Sequence, residues 1–271
     1  MARELRRLLI SHDRLTAAGD APLPLTADES RYLERVLRYR PGDRFAVVDG
    51  AGGLWSARLG SERRAELEQP LAAPLERQAR PEPPLVLAAA VVKRDFEVVV
   101  RMAVELGVDR LIPLVCERTA VAGQLRPERW RSIATEAAEQ CERLWEPVID
   151  DPTPLAELLA WEIPGALDLW ASARGDGRGD LSALLAETGA VIGAEIGSVI
   201  PDRVGSGAAS DPALIRLACG PEGGWSEQEE QQALLKGWRA VGLGPRILRS
   251  STACVAGLAA LSGWRARCWG C

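Results

Sequence analysis

From residue 85 onward the chain alternates short apolar runs with helix-length amphipathic stretches, and no other feature restricts its fold as strongly. Residues 85–92 are an unbroken apolar run, as a strand buried on both faces requires. Residues 96–106 read as a helix ending at Gly107, a residue suited to the left-handed backbone past a helix end. A strand at 108–115 and a long helix at 127–144 follow, with Pro127 in the first turn of that helix. Next come a strand at 167–173, a short helix at 181–187 and a strand at 213–219. A helix at 226–236 opens with a capping box from Ser226 to Glu229. A strand at 238–243 and a helix at 250–265 close the pattern. Repeated βα units predict a mostly parallel sheet with helices on both faces, an α/β fold. Glycines at 189, 193, 197, 205 and 207 interrupt the pattern, predicting a long loop or insertion over 189–211 with at most a strand fragment. The glycines between Gly175 and Asp180 predict a mobile surface loop.

Upstream, prolines at 70, 74, 81, 83 and 84 exclude a helix interior or a central strand. This strip divides the chain into residues 1–75, a linker at 76–84 and a larger part at 85–271. Residues 1–75 carry 12 basic and 11 acidic side chains, the remainder 21 and 27, so the acidity lies in the larger part. In the smaller part, 44–48 and 54–59 read as two strands of a hairpin, turned by Asp49-Gly50 and Gly52-Gly53. It is therefore a small β-rich unit with one short helix. On that helix Arg31, Arg35 and Arg38 recur at i, i+4 and i+7 and share one face, with Arg40 close behind. An arginine face suits phosphate contacts. It equally suits a solvated helix surface.

A net charge of −5 with 47% apolar and 26% charged residues is ordinary globular composition. No stretch approaches the roughly 18 uninterrupted apolar residues of a membrane span. The N-terminal arginines precede only a short apolar run without a cleavage site, which points to a cytosolic protein. Of the six cysteines, Cys268 and Cys271 form a C-x-x-C. A zinc site needs two further ligands, and the single histidine, His12, cannot complete one. The pair reads as a frayed tail. P-loop, G-x-S-x-G and H-E-x-x-H motifs are all absent, so the common hydrolase and metal-site readings fail and no metal is expected.

The remaining chemistry lies in two glycine-bearing loops after consecutive strands. The first holds Gly220, Pro221, Glu222, Gly223 and Gly224. The second runs from Gly242 to Arg249, with Ser250, Ser251 and Thr252 as helix N-cap candidates. Ligands of parallel sheets bind beyond the carboxyl ends of strands. Two such loops can clasp one flat ligand between backbone groups; the alternative is a pair of ordinary turns.

With GPEGG before a capped helix, then LG-x-RILR and a Thr-Ala helix start, the chain resembles the RsmE family of SPOUT-class methyltransferases, the 16S rRNA (uracil(1498)-N3)-methyltransferases. Val104-Glu-Leu-Gly107, Glu117-Arg118, and Glu136-Ala-Ala-Glu-Gln140 with Arg143 match further motifs of that family. So does Arg35-Val-Leu-Arg38 followed by Gly42-Asp43. The resemblance spans nearly the whole chain and is weakest over 174–212.

The resemblance implies a PUA-like β-barrel at the N-terminus, on which the arginine face of Arg31, Arg35, Arg38 and Arg40 read above is the candidate RNA contact. It implies a SPOUT domain threaded into a trefoil knot, a homodimer, and 16S rRNA of the small ribosomal subunit as the partner. S-adenosylmethionine would be held by Gly220–Gly224 and by Leu243, Gly244, Ile247, Leu248 and Arg249. Thr252, Ala253 and a third loop at Trp170, Ala171 and Ser172 would complete its site. Removal of the uracil N3 proton calls for a fixed cation beside the ring oxygens. Arg249 is the first candidate and Arg143 the second, with an ion pair to Glu136, Glu139 or Glu222 as the structural alternative for each. Two positions depart from the family pattern: Ser251 stands for a glutamate and Met102 for a lysine. They keep open a non-catalytic RNA-binding module; the nearest alternative reading is a SPOUT RNA methyltransferase acting on another base or atom.

Overall fold

The computed structural model describes residues 5–120, 125–173, 178–196 and 212–269. They form two units, one of Met1–Arg80 with Thr135–Glu146 and one of Pro81–Ala134 with Pro147–Cys271.

The first unit is built on a sheet of six strands: β1 (Arg7–Leu9), β2 (Leu23–Pro24), β3 (Arg44–Val48), β4 (Gly53–Leu59), β5 (Arg64–Leu67) and β6 (Glu76–Arg77). Its order is β1-β3-β4-β5-β2, with β6 also on β4. The β3–β4 hairpin forms as the glycines predict, in the register Val48 opposite Leu54. Buried Asp49 closes it, its Oδ1 accepting from the Ala51 and Gly53 N–H groups at 2.8 Å each. Phe45, Val47, Trp55, Ala57 and Leu59 enter the main cluster, while Val48 and Leu54 pack with Leu144 on a smaller one. Two residues of the proline-rich strip, Glu76 and Arg77, are strand residues of this sheet.

The predicted arginine face does not form. Helix α1 (His12–Ala18) is followed by α2 (Ala27–Arg31), capped by a Thr26–Glu29 box. The next turn, Tyr32–Val36, is π-helical, with Leu37 N–H bonded to the Tyr32 carbonyl at 3.0 Å. The wider turn breaks the i, i+4, i+7 alignment, and Arg38 leaves the helix with φ at 60°. All four arginines are exposed. Arg31 pairs with Asp28 at 3.2 Å, and the Arg40 N–H bonds Asp43 at 2.7 Å.

The second unit is the expected α/β fold. Its strands are β7 (Leu85–Ala90), β8 (Arg110–Val115), β9 (Val148–Ile149), β10 (Thr153–Pro154), β11 (Ala166–Ala171), β12 (Gly179–Asp180), β13 (Leu214–Cys219) and β14 (Arg239–Gly242). The order is β10-β8-β7-β13-β11-β14-β12, with β9 on β8, and every pairing is parallel. The helices are α3 (Phe96–Glu105), α4 (Pro127–Gln140), α5 (Leu155–Ala160), α6 (Leu181–Ile196), α7 (Glu227–Leu235) and α8 (Ser250–Trp269). From Thr135 on, α4 belongs to the first unit.

Successive strand residues face opposite sides. Val86, Ala88 and Ala90 of β7 therefore join Leu155, Leu158 and Leu159 of α5 and Ala233 of α7 in one cluster. Leu85, Leu87 and Ala89 are left for the other face, where α8 crosses β7 and β13 and packs with α3 and α6. The far end of α8 is tied down by Arg265, whose guanidinium bonds Asp109 at 2.5 Å and the Gly107 carbonyl at 2.8 Å.

Three boundaries differ from the expectations. Helix α4 stops at Gln140 because Glu142 adopts a left-handed backbone, φ 62°. Helix α6 continues through Gly189 and Gly193 to Ile196, so residues 189–196 are helix rather than loop. Each glycine costs a helix interior only roughly 1 kcal/mol, so an isolated glycine does not have to end one. The rest of the expected insertion, 197–211, lies outside the described residues, as do 174–177 of the Gly175–Asp180 stretch. Gly179 and Asp180 form the edge strand on β14 rather than loop. Helix α8 carries Cys268, while Cys271 lies outside the described residues.

Candidate active site

In an all-parallel sheet every strand ends at the same edge. Here β13 lies between β7 and β11. Strand succession changes direction at that point, and ligands of such sheets bind beyond the carboxyl ends there. One cavity of about 730 Å³ occupies the place. Residues 171–173 at the end of β11, 220–225 after β13, and 243–244, 246–251 and 253 after β14 line it. Val92, Arg94 and Asp95 after β7, Arg118 after β8, Arg178, and Glu230 of α7 complete the wall.

The cavity thus brings together Ala171, Ser172, all five residues of Gly220–Gly224, Leu243, Gly244, Ile247, Leu248, Arg249 and Ala253. Two residues expected beside them are not on its wall. Trp170 is buried beneath, stacked on Trp225 with ring centroids 3.8 Å apart, and Thr252 does not face the cavity. Arg143 lies in the first unit, where its Nε donates to the Trp145 carbonyl at 3.1 Å.

Local chemistry holds each loop. A Cβ at Gly220 would lie 2.8 Å from the Trp225 ring, so only glycine fits that close approach. Trp225 Nε1 donates to the Ala171 carbonyl at 2.9 Å, joining the second loop to the first. The hydroxyl of Ser250 donates to the Gly220 carbonyl at 2.5 Å, joining the second loop to α8. Ser250 is thus the first residue of α8 and spends its side chain on the neighbouring loop, not on an N-cap bond. Arg178 donates to the Ala173 carbonyl and, at 3.4 Å, to that of Ser172.

Immediately past the glycines, the capping box of α7 forms as expected. Glu229 N–H reaches the Ser226 hydroxyl at 3.3 Å, and Ser226 N–H the Glu229 carboxylate at 2.9 Å. Ser226→Ala is expected to destabilise the protein by about 1 kcal/mol, readable as a lower urea midpoint.

Charge at the wall differs from charge over the chain. Five guanidiniums (Arg94, Arg118, Arg178, Arg246, Arg249) face three carboxylates (Asp95, Glu222, Glu230), against a net charge of −5 for the whole protein. Arg249 is exposed, and among the described residues no ion pair or hydrogen bond engages its guanidinium. The alternative pairing with Glu222 is not formed. The nearby thiols are poor nucleophiles: burial pushes Cys116 up to about 12. Cys219 is held well above the usual thiol range by its hydrogen bond with Cys254 and by burial.

Sequence pattern alone does not place Arg94, Asp95, Arg118, Arg178 and Glu230 at the site. Arg118 stood in a recognised motif, but its place on the wall depends on β7 separating β8 from β13, an order that spacing along the chain does not encode. No helix among the described residues is long and apolar enough to cross a membrane. No group of potential metal ligands occurs among them.

Comparison with known proteins bears on the same elements. The family described as RNA methyltransferase domain matches residues 80–262, and the RNA methyltransferase PUA domain matches residues 25–68. Ribosomal RNA small subunit methyltransferase E of Synechocystis is 34% identical over 258 residues, 94% of this chain and 77% of that protein. Its counterpart from Bacillus subtilis is 27% identical over 88% of each chain. The crystal structure of the Neisseria gonorrhoeae ribosomal RNA small subunit methyltransferase E bound to S-adenosyl methionine superposes with a TM-score of 0.71. It is 29% identical and covers 96% of this chain and 98% of that one. The second unit is thus a SPOUT-type α/β domain and the first a PUA-type one, and the chain belongs to the ribosomal RNA small subunit methyltransferase E family.

Proposed function

We propose that the chain transfers a methyl group from S-adenosylmethionine to N3 of one uridine in 16S rRNA of the small ribosomal subunit, acting in the cytoplasm as a homodimer without a metal. The observation that carries this reading is the convergence of the loops after β11, β13 and β14 on one cavity, in a chain of this family. The residues present fit the cofactor. The volume of about 730 Å³ lies in the range of small-molecule sites. The absence of a Cβ at Gly220 lets the loop backbone close onto the buried Trp225 ring, and Glu222 and Glu230 on the wall offer acceptors for an ammonium or hydroxyls. When bound, S-adenosylmethionine supplies an electrophilic methyl carbon on a sulfonium.

The chain's own task is to position and to stabilise charge. A neutral uracil carries a proton on N3, and its loss to solvent water spreads negative charge onto O2 and O4. The Arg249 guanidinium, without a partner among the described residues, is the group to stabilise that charge as it develops. Arg143, the second candidate, already spends its Nε proton on the Trp145 carbonyl. The cationic excess of the wall, with exposed Arg31, Arg35, Arg38 and Arg40 in the PUA unit, suits RNA phosphates, and binding should weaken as salt rises.

The reading is tested by offering labelled S-adenosylmethionine with isolated ribosomal subunits from cells lacking the endogenous mark. Label is expected in 16S rRNA of the small subunit and not in the large one. Intact cofactor binding with no transfer to either would overturn it.

A further inference from the structure

We propose that Arg118 is a positioning residue for the cofactor loop: from the end of β8 its guanidinium sets the backbone at residues 223–225. The inference rests on the S-adenosylmethionine reading above. Arg118 Nη1 donates to the Gly223 carbonyl at 3.0 Å and to the Trp225 carbonyl at 3.0 Å. These two carbonyls flank Gly224, where the loop turns with φ at 70° and its N–H bonds the Pro221 carbonyl at 2.9 Å.

The other tethers of the loop come from elements near it in the C-terminal half. Ser250 holds the Gly220 carbonyl, and the Trp225 indole holds Ala171. Among the described residues Arg118 alone reaches it from the segment after β8, a strand that β7 separates from β13 in the sheet. Its neighbour Glu117 donates its N–H to Glu229 at 2.9 Å, so residues 117 and 118 together bracket the glycine loop and the start of α7. The approach is close on the outer side as well: a Cβ at Gly223 would lie 3.2 Å from the Arg118 Cβ.

Arg118 itself lines the cavity, and its Nε and Nη2 have no protein partner among the described residues. A planar, permanently charged guanidinium serves two carbonyls in a fixed geometry. An ammonium on a shorter stem retains the charge but not that geometry. Loss of Arg118 releases two carbonyls at the turn of the cofactor loop and leaves the sheet and helices in place.

The test compares the full wild-type chain with Arg118→Ala and Arg118→Lys. Equilibrium dialysis against labelled S-adenosylmethionine reads affinity, thermal melting without ligand reads structure, and steady-state assays separate KM from kcat. Arg118→Ala is expected to raise the Kd and KM for S-adenosylmethionine about tenfold, and Arg118→Lys by less. The unliganded melting midpoint and the kcat at saturating cofactor should change little. Wild-type affinity in Arg118→Ala would overturn the inference. So would a loss of affinity matched by a lowered unliganded midpoint, because the role would then be structural. Wild-type chain that binds no S-adenosylmethionine would overturn the cofactor assignment itself, and this inference with it.

Discussion

Arg216→Ala is expected to lower the unfolding free energy by about 3–5 kcal/mol, because it strips the partner from a carboxylate inside the α/β unit. Arg216 lies in the middle of β13 and is 1% exposed. In the sheet register it stands opposite Asp168 of β11. Its Nε and Nη2 donate to the two Asp168 oxygens at 2.5 and 2.6 Å, and its Nη1 to the Trp161 carbonyl at 2.7 Å. The guanidinium also lies 5.0 Å from the Trp238 ring centroid and 5.5 Å from that of Trp161. A buried charge pair adds little net stability when intact, since desolvation offsets its attraction, but one charge left alone is costly. The double replacement Arg216→Met with Asp168→Leu should therefore cost much less than Arg216→Ala. Urea midpoints at an unchanged m-value read both. A loss below about 1 kcal/mol for Arg216→Ala would contradict the account of this pair. The consequence for function is direct, since β13 hands the chain to Gly220 and its loop.

Arg249→Ala is expected to lower kcat by about 10²–10³-fold, the usual effect of removing one preorganised donor to a developing oxyanion. Cofactor affinity should change by less than about tenfold, because the backbone of the loop is held independently. The Arg249 carbonyl accepts from Ala253 N–H at 2.8 Å whichever side chain is present. Arg249→Lys should recover part of the rate, since charge returns without the planar donor array. Single-turnover assays with saturating S-adenosylmethionine read the chemical step. Unchanged turnover in Arg249→Ala would remove Arg249 from the chemistry.

Much of this fold is legible along the chain. The apolar run at 85–92 and the later βα alternation give the parallel sheet because a strand buried on both faces reads as a near-continuous apolar run. Asp49 and Gly53 give the hairpin, and Ser226 with Glu229 gives the start of α7, because these are local hydrogen-bond patterns. What local pattern cannot carry is the sheet order. The insertion of β13 beside β7 brings Arg94, Asp95 and Arg118 to the loops after β11, β13 and β14. Helical periodicity also assumes a regular α-turn. The π-helical Tyr32–Val36 turn removes Arg38 from the expected face, and left-handed Glu142 ends α4 before the boundary that residue types suggest. By residue type the glycines at 189 and 193 suggest breaks, yet α6 passes through both.

The measurement that bears most directly on the central claim is the identity of the methylated nucleoside. Small ribosomal subunits lacking the N3 mark would be incubated with this protein and labelled S-adenosylmethionine, then the 16S rRNA digested and resolved by mass spectrometry. The account predicts label in N3-methyluridine at a single position. Label in another nucleoside, or at another atom of uridine, would contradict it.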